Sequence, residues 1–227
     1  MPQTSDQLTQ QPGNYESYDP APVVPVVVVH GLWLNGLEFF LLRDRLGRAG
    51  FEPGSFHYRS MHTTLSDAAD ALAAHLRALN GTVHVVAHSL GGLVACEAYA
   101  RHADLPDGRV VLMGSPVRGS RTARAVAAHW YGPAALGPLA LGELAREREA
   151  AWQLPREVGV IAGSLPIGIG RAFSDLPLPN DGTVCVDETE LSGAKSRIVH
   201  EVSHTGMLFS SAVADSAVKF LATGSFG

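Results

Sequence analysis

An α/β fold, with a mostly parallel central sheet and helices on both of its faces, is what this chain of 227 residues predicts, and three observations predict it. Strand-like and helix-like patterns take turns along the chain, as a sheet layered with helices requires. The apolar runs are continuous rather than alternating, which suits strands buried on both faces. In Val83-His84-Val85-Val86-Ala87-His88-Ser89-Leu90-Gly91-Gly92 an apolar run leads into a serine between small residues and then into a helix-like segment, a strand, tight turn and helix in sequence.

The elements follow in order. Val26 to Val29 is a β-branched run that stops at His30-Gly31, a central strand. Leu37 to Ala49 places Leu37, Phe40, Leu41, Leu42 and Leu46 on a helical stripe that ends before Gly50. Phe51 to Tyr58 suits a strand. Thr64-Leu65-Ser66-Asp67 reads as a capping box, and Leu65, Ala68, Ala69, Leu72, Leu76 and Leu79 share one helical face until Asn80-Gly81. Val83 to Ala87 is the strand feeding Ser89, and Leu93 to Ala100 is a helix. Strands follow at Arg109 to Met113, Val158 to Ala162 and Arg197 to Val202, and a helix from about Ser210 to Leu221 closes the chain. The segment Thr122 to Leu154 departs from the alternation, with alanine-rich helical stretches, Trp130, Tyr131, Trp152 and a Gly/Pro-broken apolar patch from Gly132 to Gly142.

At 46% hydrophobic and 17% charged residues, the chain buries one sizeable core and is too short for two catalytic domains. Residues 1–22, polar at their start, read as a flexible leader ahead of a single domain over 23–227. The leader has no basic start and no apolar core of a secretory signal, and no apolar run reaches bilayer length, so a cytoplasmic location without a transmembrane segment is expected. A net charge of -5 without any basic run leaves no footprint for nucleic acid. Cys96 and Cys185 lack metal-ligand spacing and read as small buried hydrophobes.

A serine hydroxyl is a weak nucleophile at neutral pH. It needs a base, a carboxylate to orient that base, and donors for the oxyanion. Ser89 has Ala87 two residues before it and Gly91 two after; glycine is usual at both positions. For the base, His204 lies just past a strand and before the last helix, on a loop at the carboxyl edge of the sheet. His200 competes, but from inside the strand, where its side chain points into a helix layer. For the acid, Asp181 in Pro179-Asn180-Asp181-Gly182-Thr183-Val184 has Asp175 and Asp187 as rivals, Asp187 lying beyond a β-like Thr183 to Val186 run. Asp181 also reads as an ordinary Asx-Gly turn residue. For the oxyanion, Leu90 supplies one backbone N–H, and Leu32, after the closely approaching Gly31, supplies the other.

Other features carry no chemistry of their own. His84 and His88 lie four apart on a strand and its turn, so they make no metal-binding face; His88 buttresses the turn. His57, His62, His75, His102 and His129 read as surface or packing residues. Gly91-Gly92 lacks the lysine of a phosphate loop. Neither a metal nor a cofactor is expected.

These residues resemble the α/β-hydrolase superfamily and, within it, the small bacterial lipases and esterases that carry Ala-His-Ser-x-Gly. Val29-His30-Gly31-Leu32 is similar to the family's oxyanion strand and loop, Ala87-His88-Ser89-Leu90-Gly91-Gly92 to its elbow, Asp181-Gly182-Thr183-Val184 to its acid loop and Ser203-His204-Thr205-Gly206-Met207-Leu208 to its histidine loop. The resemblance implies an α/β-hydrolase fold, a triad of Ser89, Asp181 and His204, and backbone donors at Leu32 and Leu90. It implies hydrolysis of a small-molecule ester or lipid through an acyl-enzyme. The same parts would serve an acyltransferase or thioesterase, and a third reading is a non-catalytic binding member of the fold. The resemblance does not extend over Arg118 to Pro177, where a small cap is expected at about 118–177. There Tyr131, Leu136, Leu139 and Leu141, with Trp33, form an apolar lid or acyl pocket on one reading and ordinary core on the other.

Overall fold

The computed structural model describes residues 23–173 and 175–227; the leader expected at 1–22 lies outside the described residues. Six strands, β1 (Val24–Val29), β2 (Phe51–Phe56), β3 (His84–His88), β4 (Val110–Met113), β5 (Val158–Gly163) and β6 (Ser196–His200), form one sheet in the order β2-β1-β3-β4-β5-β6. Every pairing is parallel.

Successive side chains of a strand face opposite ways, and here both faces are covered. Val27 and Val29 of β1, Val85 and Ala87 of β3, and Val110 and Leu112 of β4 pack beneath α2 (Leu65–Arg77) and α3 (Leu90–Arg101). Val26, Val28, Val86, Val111 and Met113 pack on the opposite face beneath α1 (Phe40–Arg48) and α6 (Ser211–Thr223). The two layers explain the continuous valine runs. Pro53 is tolerated because β2 is an edge strand, and Pro25 precedes the point where β1 begins to pair with β3, at Val26.

From β1 the chain moves outward to β2, then returns past β1 to β3. The carboxyl ends of β1 and β3 therefore flank the point where the winding reverses, which is where such sheets open a crevice.

Three local expectations are corrected. At Thr64 the hydroxyl caps α2 by accepting the Asp67 N–H at 3.2 Å, but the Asp67 carboxylate takes the Thr64 hydroxyl at 2.7 Å, so the reciprocal half of a capping box is missing. The run Thr183 to Val186 is not a strand. Its backbone turns onto Asp181, and Val186–Thr189 closes as a 3₁₀ turn whose Glu188 carboxylate accepts the Cys185 N–H at 2.8 Å. The stretch 118–177 is not one insertion, because Val158–Gly163 within it is the core strand β5. What lies outside the alternation is α4 (Arg121–Ala127) and α5 (Gly132–Leu144) after β4, and the loop after β5. Both cysteines are unpaired, Cys185 buried and Cys96 half-buried.

Candidate active site

The register of β1 on β3 pairs Val29 with Ala87, so the loops that follow leave the sheet side by side. Ser89 sits at φ 54°, ψ −125°, a conformation that non-glycine residues rarely adopt and that costs about 1–3 kcal/mol. Neighbouring bonds hold it there: Ser89 N donates to Met113 O at 2.9 Å and Gly92 N to Ser89 O at 3.0 Å. A Cβ at Gly91 would stand 2.5 Å from His30 O and 2.6 Å from Val29 O, so only glycine lets α3 start this close to β1. Ala87, by contrast, points its methyl into the α2–α3 layer and is wholly buried there, which is why alanine serves at that position.

Three side chains meet at the turn. His204 Nε2 lies 3.0 Å from Ser89 Oγ, and His204 Nδ1 lies 2.7 Å from Asp181 Oδ2. With the carboxylate facing Nδ1, the proton belongs on Nδ1 and the lone pair on Nε2 faces the serine hydroxyl. Asp181 is 1% exposed. Its other oxygen accepts the N–H groups of Thr183 at 2.9 Å and Val184 at 2.7 Å, and its own carbonyl accepts His204 N at 2.8 Å. Asp181 is thus an Asx-turn residue and a partner of His204 at once.

The rivals stand elsewhere. His200 Nε2 bonds Ser216 Oγ at 2.9 Å, inside the α6 layer. Asp187 pairs with Arg121 at 2.9 Å, and Asp175 is exposed.

Leu90 N opens α3, and Leu32 N lies on the loop after β1. Neither has a hydrogen-bond partner among the described residues. The loop carrying Leu32 is braced by His30, which is buried and stacked on Tyr58 at 4.6 Å between ring centroids. Tyr58 N–H donates to His30 Nε2 at 3.4 Å, which leaves Nδ1–H to donate to Gly31 O at 2.9 Å, and Tyr58 Oη–H donates to His30 O at 3.0 Å. Burial lowers the His30 pKa, in keeping with this neutral ring. Under the site, burial and the neighbouring His204 push His88 well below histidine's ordinary value, and its Nε2 lies 3.3 Å from His204 O. His88 Nδ1 has no partner among the described residues.

A cavity of about 190 Å³ opens beside Ser89. Of the residues expected to shape it, Trp33 and Leu136 do line it. Leu139 is buried in the core, Leu141 packs against that core, and Tyr131 lies on the surface stacked on His129. For Leu139 and Leu141 the cause is a kink: Gly137 at φ 70° breaks α5 and re-aims the side chains after it, whereas Tyr131 lies ahead of it at the N-cap. The lining that sequence reasoning missed comes from Ala123 and Val126 of α4, Leu144 at the end of α5, and Ile169 and Phe173 after β5. The apolar periodicity of α4 was the available signal, but nothing local says which cavity its stripe faces. Trp33, at φ 61°, donates its indole N–H to Ala135 O at 2.9 Å and so ties the loop after β1 to α5.

Among the described residues no cluster of histidine, cysteine and carboxylate side chains could hold a metal ion, and no helix is long and apolar enough to cross a membrane.

The model of the alpha/beta hydrolase family matches residues 26–208. Among solved structures, Bacillus licheniformis lipase BlEst2 in its mature form superposes with a TM-score of 0.70 at 20% identity, over 84% of this chain and 89% of that one. A monoacylglycerol lipase of Paleococcus ferrophilus gives 0.53 at 17% identity, over 88% and 95% of the two chains. A pyrethroid hydrolase of Sphingobium faniae JZ-2 gives 0.57 at 11%, over 89% and 98%. At such identities the likeness is one of fold. No curated protein sequence matches the chain.

Proposed function

The chain belongs to the alpha/beta hydrolase family, and from that premise we propose that it is a serine esterase that cleaves carboxylic esters through an acyl-enzyme, with Ser89, His204 and Asp181 as its triad. The observation that carries this reading is the chain of two hydrogen bonds, Ser89 to His204 at 3.0 Å and His204 to Asp181 at 2.7 Å. Beside it stand the unpartnered N–H groups of Leu32 and Leu90.

Ser89 Oγ attacks the ester carbonyl carbon as its proton passes to His204 Nε2, and Asp181 stabilises the imidazolium that forms. The carbonyl π electrons move onto oxygen, and the Leu32 and Leu90 N–H groups receive that charge. The C–O bond to the alcohol then breaks, with the proton on Nε2 going to the leaving oxygen. Water enters, gives a proton to His204 and attacks the acyl carbon; the proton returns to Ser89 Oγ as the carboxylic acid departs. The His204 side chain keeps 12% exposure beside the exposed Thr205, so the base stays in reach of water for the second half of the reaction. The strained Ser89 backbone favours catalysis over a pure binding role, since recognition alone has no use for it.

The test is turnover of p-nitrophenyl esters by wild type and Ser89→Ala. The reading expects a loss of about 10⁶-fold in kcat, leaving only the residual rate of the oxyanion hole and binding. Near-normal activity in Ser89→Ala would sink it.

A further inference from the structure

Resting on the esterase reading above, we propose that the cavity beside Ser89 is a closed pocket for the acyl half of the ester, that it takes an apolar chain of about six to eight carbons, and that Val126 and Leu144 set the limit.

The cavity has an open and a shut end. Trp33 and Ile169, 55% and 53% exposed, stand at the mouth, whereas Ala123, Val126, Leu136 and Leu144 are all 3–6% exposed and form the inner wall. The chemistry decides which half of the ester lies inside. The alcohol takes its proton from His204 and must then leave so that water replaces it, and both journeys need the solvent side, where Thr205 is exposed. The acyl group stays bound through both halves of the reaction, so the shut end is its place.

The wall also sets polarity. Its inner surface is mostly aliphatic, and the hydroxyls of Ser120 and Thr122 in it bond backbone: Ser120 Oγ accepts the Ala123 N–H at 3.1 Å and Thr122 Oγ1–H donates to Thr183 O at 2.6 Å. A polar or charged acyl chain would lose its water against the aliphatic side chains there and find few partners.

Size follows from volume. An apolar cavity of about 150 Å³ accepts a six-carbon ring; this one, at about 190 Å³, is slightly larger. Nor is the floor free to retreat. The start of α4 is tied to the acid loop by Arg121 N–H on Glu188 Oε1 at 2.6 Å and by the Thr122 bond, and Ser120 N donates to Leu144 O at 2.7 Å.

The experiment is kcat/KM for p-nitrophenyl esters from acetate to dodecanoate. Wild type is expected to peak between hexanoate and octanoate and to fall about tenfold or more by dodecanoate. Val126→Phe, which fills the floor, should lower the ratio of octanoate to acetate kcat/KM about tenfold. Leu144→Ala should move the peak to longer chains, and Val126→Ala makes the same test if Leu144→Ala does not fold. Dodecanoate turned over as well as octanoate by wild type, or acetate and octanoate lowered equally by Val126→Phe, overturns the proposal. Titration of Ser89 with a fluorophosphonate separates the two levels. If Ser89 is labelled and turnover depends on it while chain length has no effect, only the pocket assignment fails; if turnover survives in Ser89→Ala, the esterase reading itself fails.

Discussion

Asp181 divides its carboxylate between two duties, with Oδ2 facing His204 and Oδ1 holding the turn through Thr183 and Val184. Asparagine can keep the turn through its amide oxygen but offers an amide nitrogen to His204, which then carries the wrong tautomer. Asp181→Asn is therefore expected to fold normally, by circular dichroism and urea unfolding, while kcat falls about 10⁴-fold. Asp175→Asn and Asp187→Asn should stay near the wild-type rate in the same assay. His30 acts at one remove. In a trans peptide the C=O and the following N–H point opposite ways, so by holding Gly31 O the ring aims the Leu32 N–H into the site. His30→Phe should lower kcat about tenfold or more with little change in KM, the pattern of an interaction made in the transition state; a rise in KM alone would count against this. Ser89, Asp181 and His204 were legible because each lies in a short motif whose local chemistry announces it. The duties of His30 and Trp33 were not, because their partners, Tyr58 and Ala135, are 28 and 102 positions away.

Among the elements, those with one strong period were legible: the valine run of β1, the stripe of α2, the elbow between β3 and α3. Legibility failed where a short-range backbone demand overrode the pattern. Thr183 to Val186 is β-branched and apolar enough for a strand, yet the Asp181 and Glu188 carboxylates bind its N–H groups and curl it. In α5, Leu136, Leu139 and Leu141 read as one apolar surface, but the kink at Gly137 separates Leu136, over the cavity, from Leu139 in the core. The kink rests on glycine twice over, through its φ of 70° and because a Cβ there would lie 2.7 Å from Met61 O. Gly137→Ala should thus destabilise the fold, lowering the unfolding free energy read from urea titration by about 1–3 kcal/mol, and alter the chain-length profile more than the acetate rate. An unchanged profile would show that the kink does not shape the pocket.

Across the whole molecule, three histidines are kept neutral inside the fold. Burial lowers His30 and pushes His88 well below the ordinary value, and burial with the nearby Arg109 guanidinium brings His84 down to about 4. In the unfolded chain each takes up a proton near the ordinary histidine value of about 6.5. Between that pH and the native values the unfolded state binds more protons, so stability is full above about pH 6.5 and is lost as the pH falls toward 4. Thermal unfolding between pH 7 and 4 should show this slope, and His84→Phe should flatten it; a wild-type midpoint that does not fall would refute the account. The tie from Trp33 to Ala135 has a consequence of another kind. Of the three tryptophans, Trp152 is buried with its indole N–H on Arg156 O, and Trp130 is 93% exposed to water whatever the site does. Trp33 alone lines the cavity. The protein thereby carries its own optical gauge of occupancy, one indole whose emission colour shifts when a chain displaces water at the mouth, readable without any label.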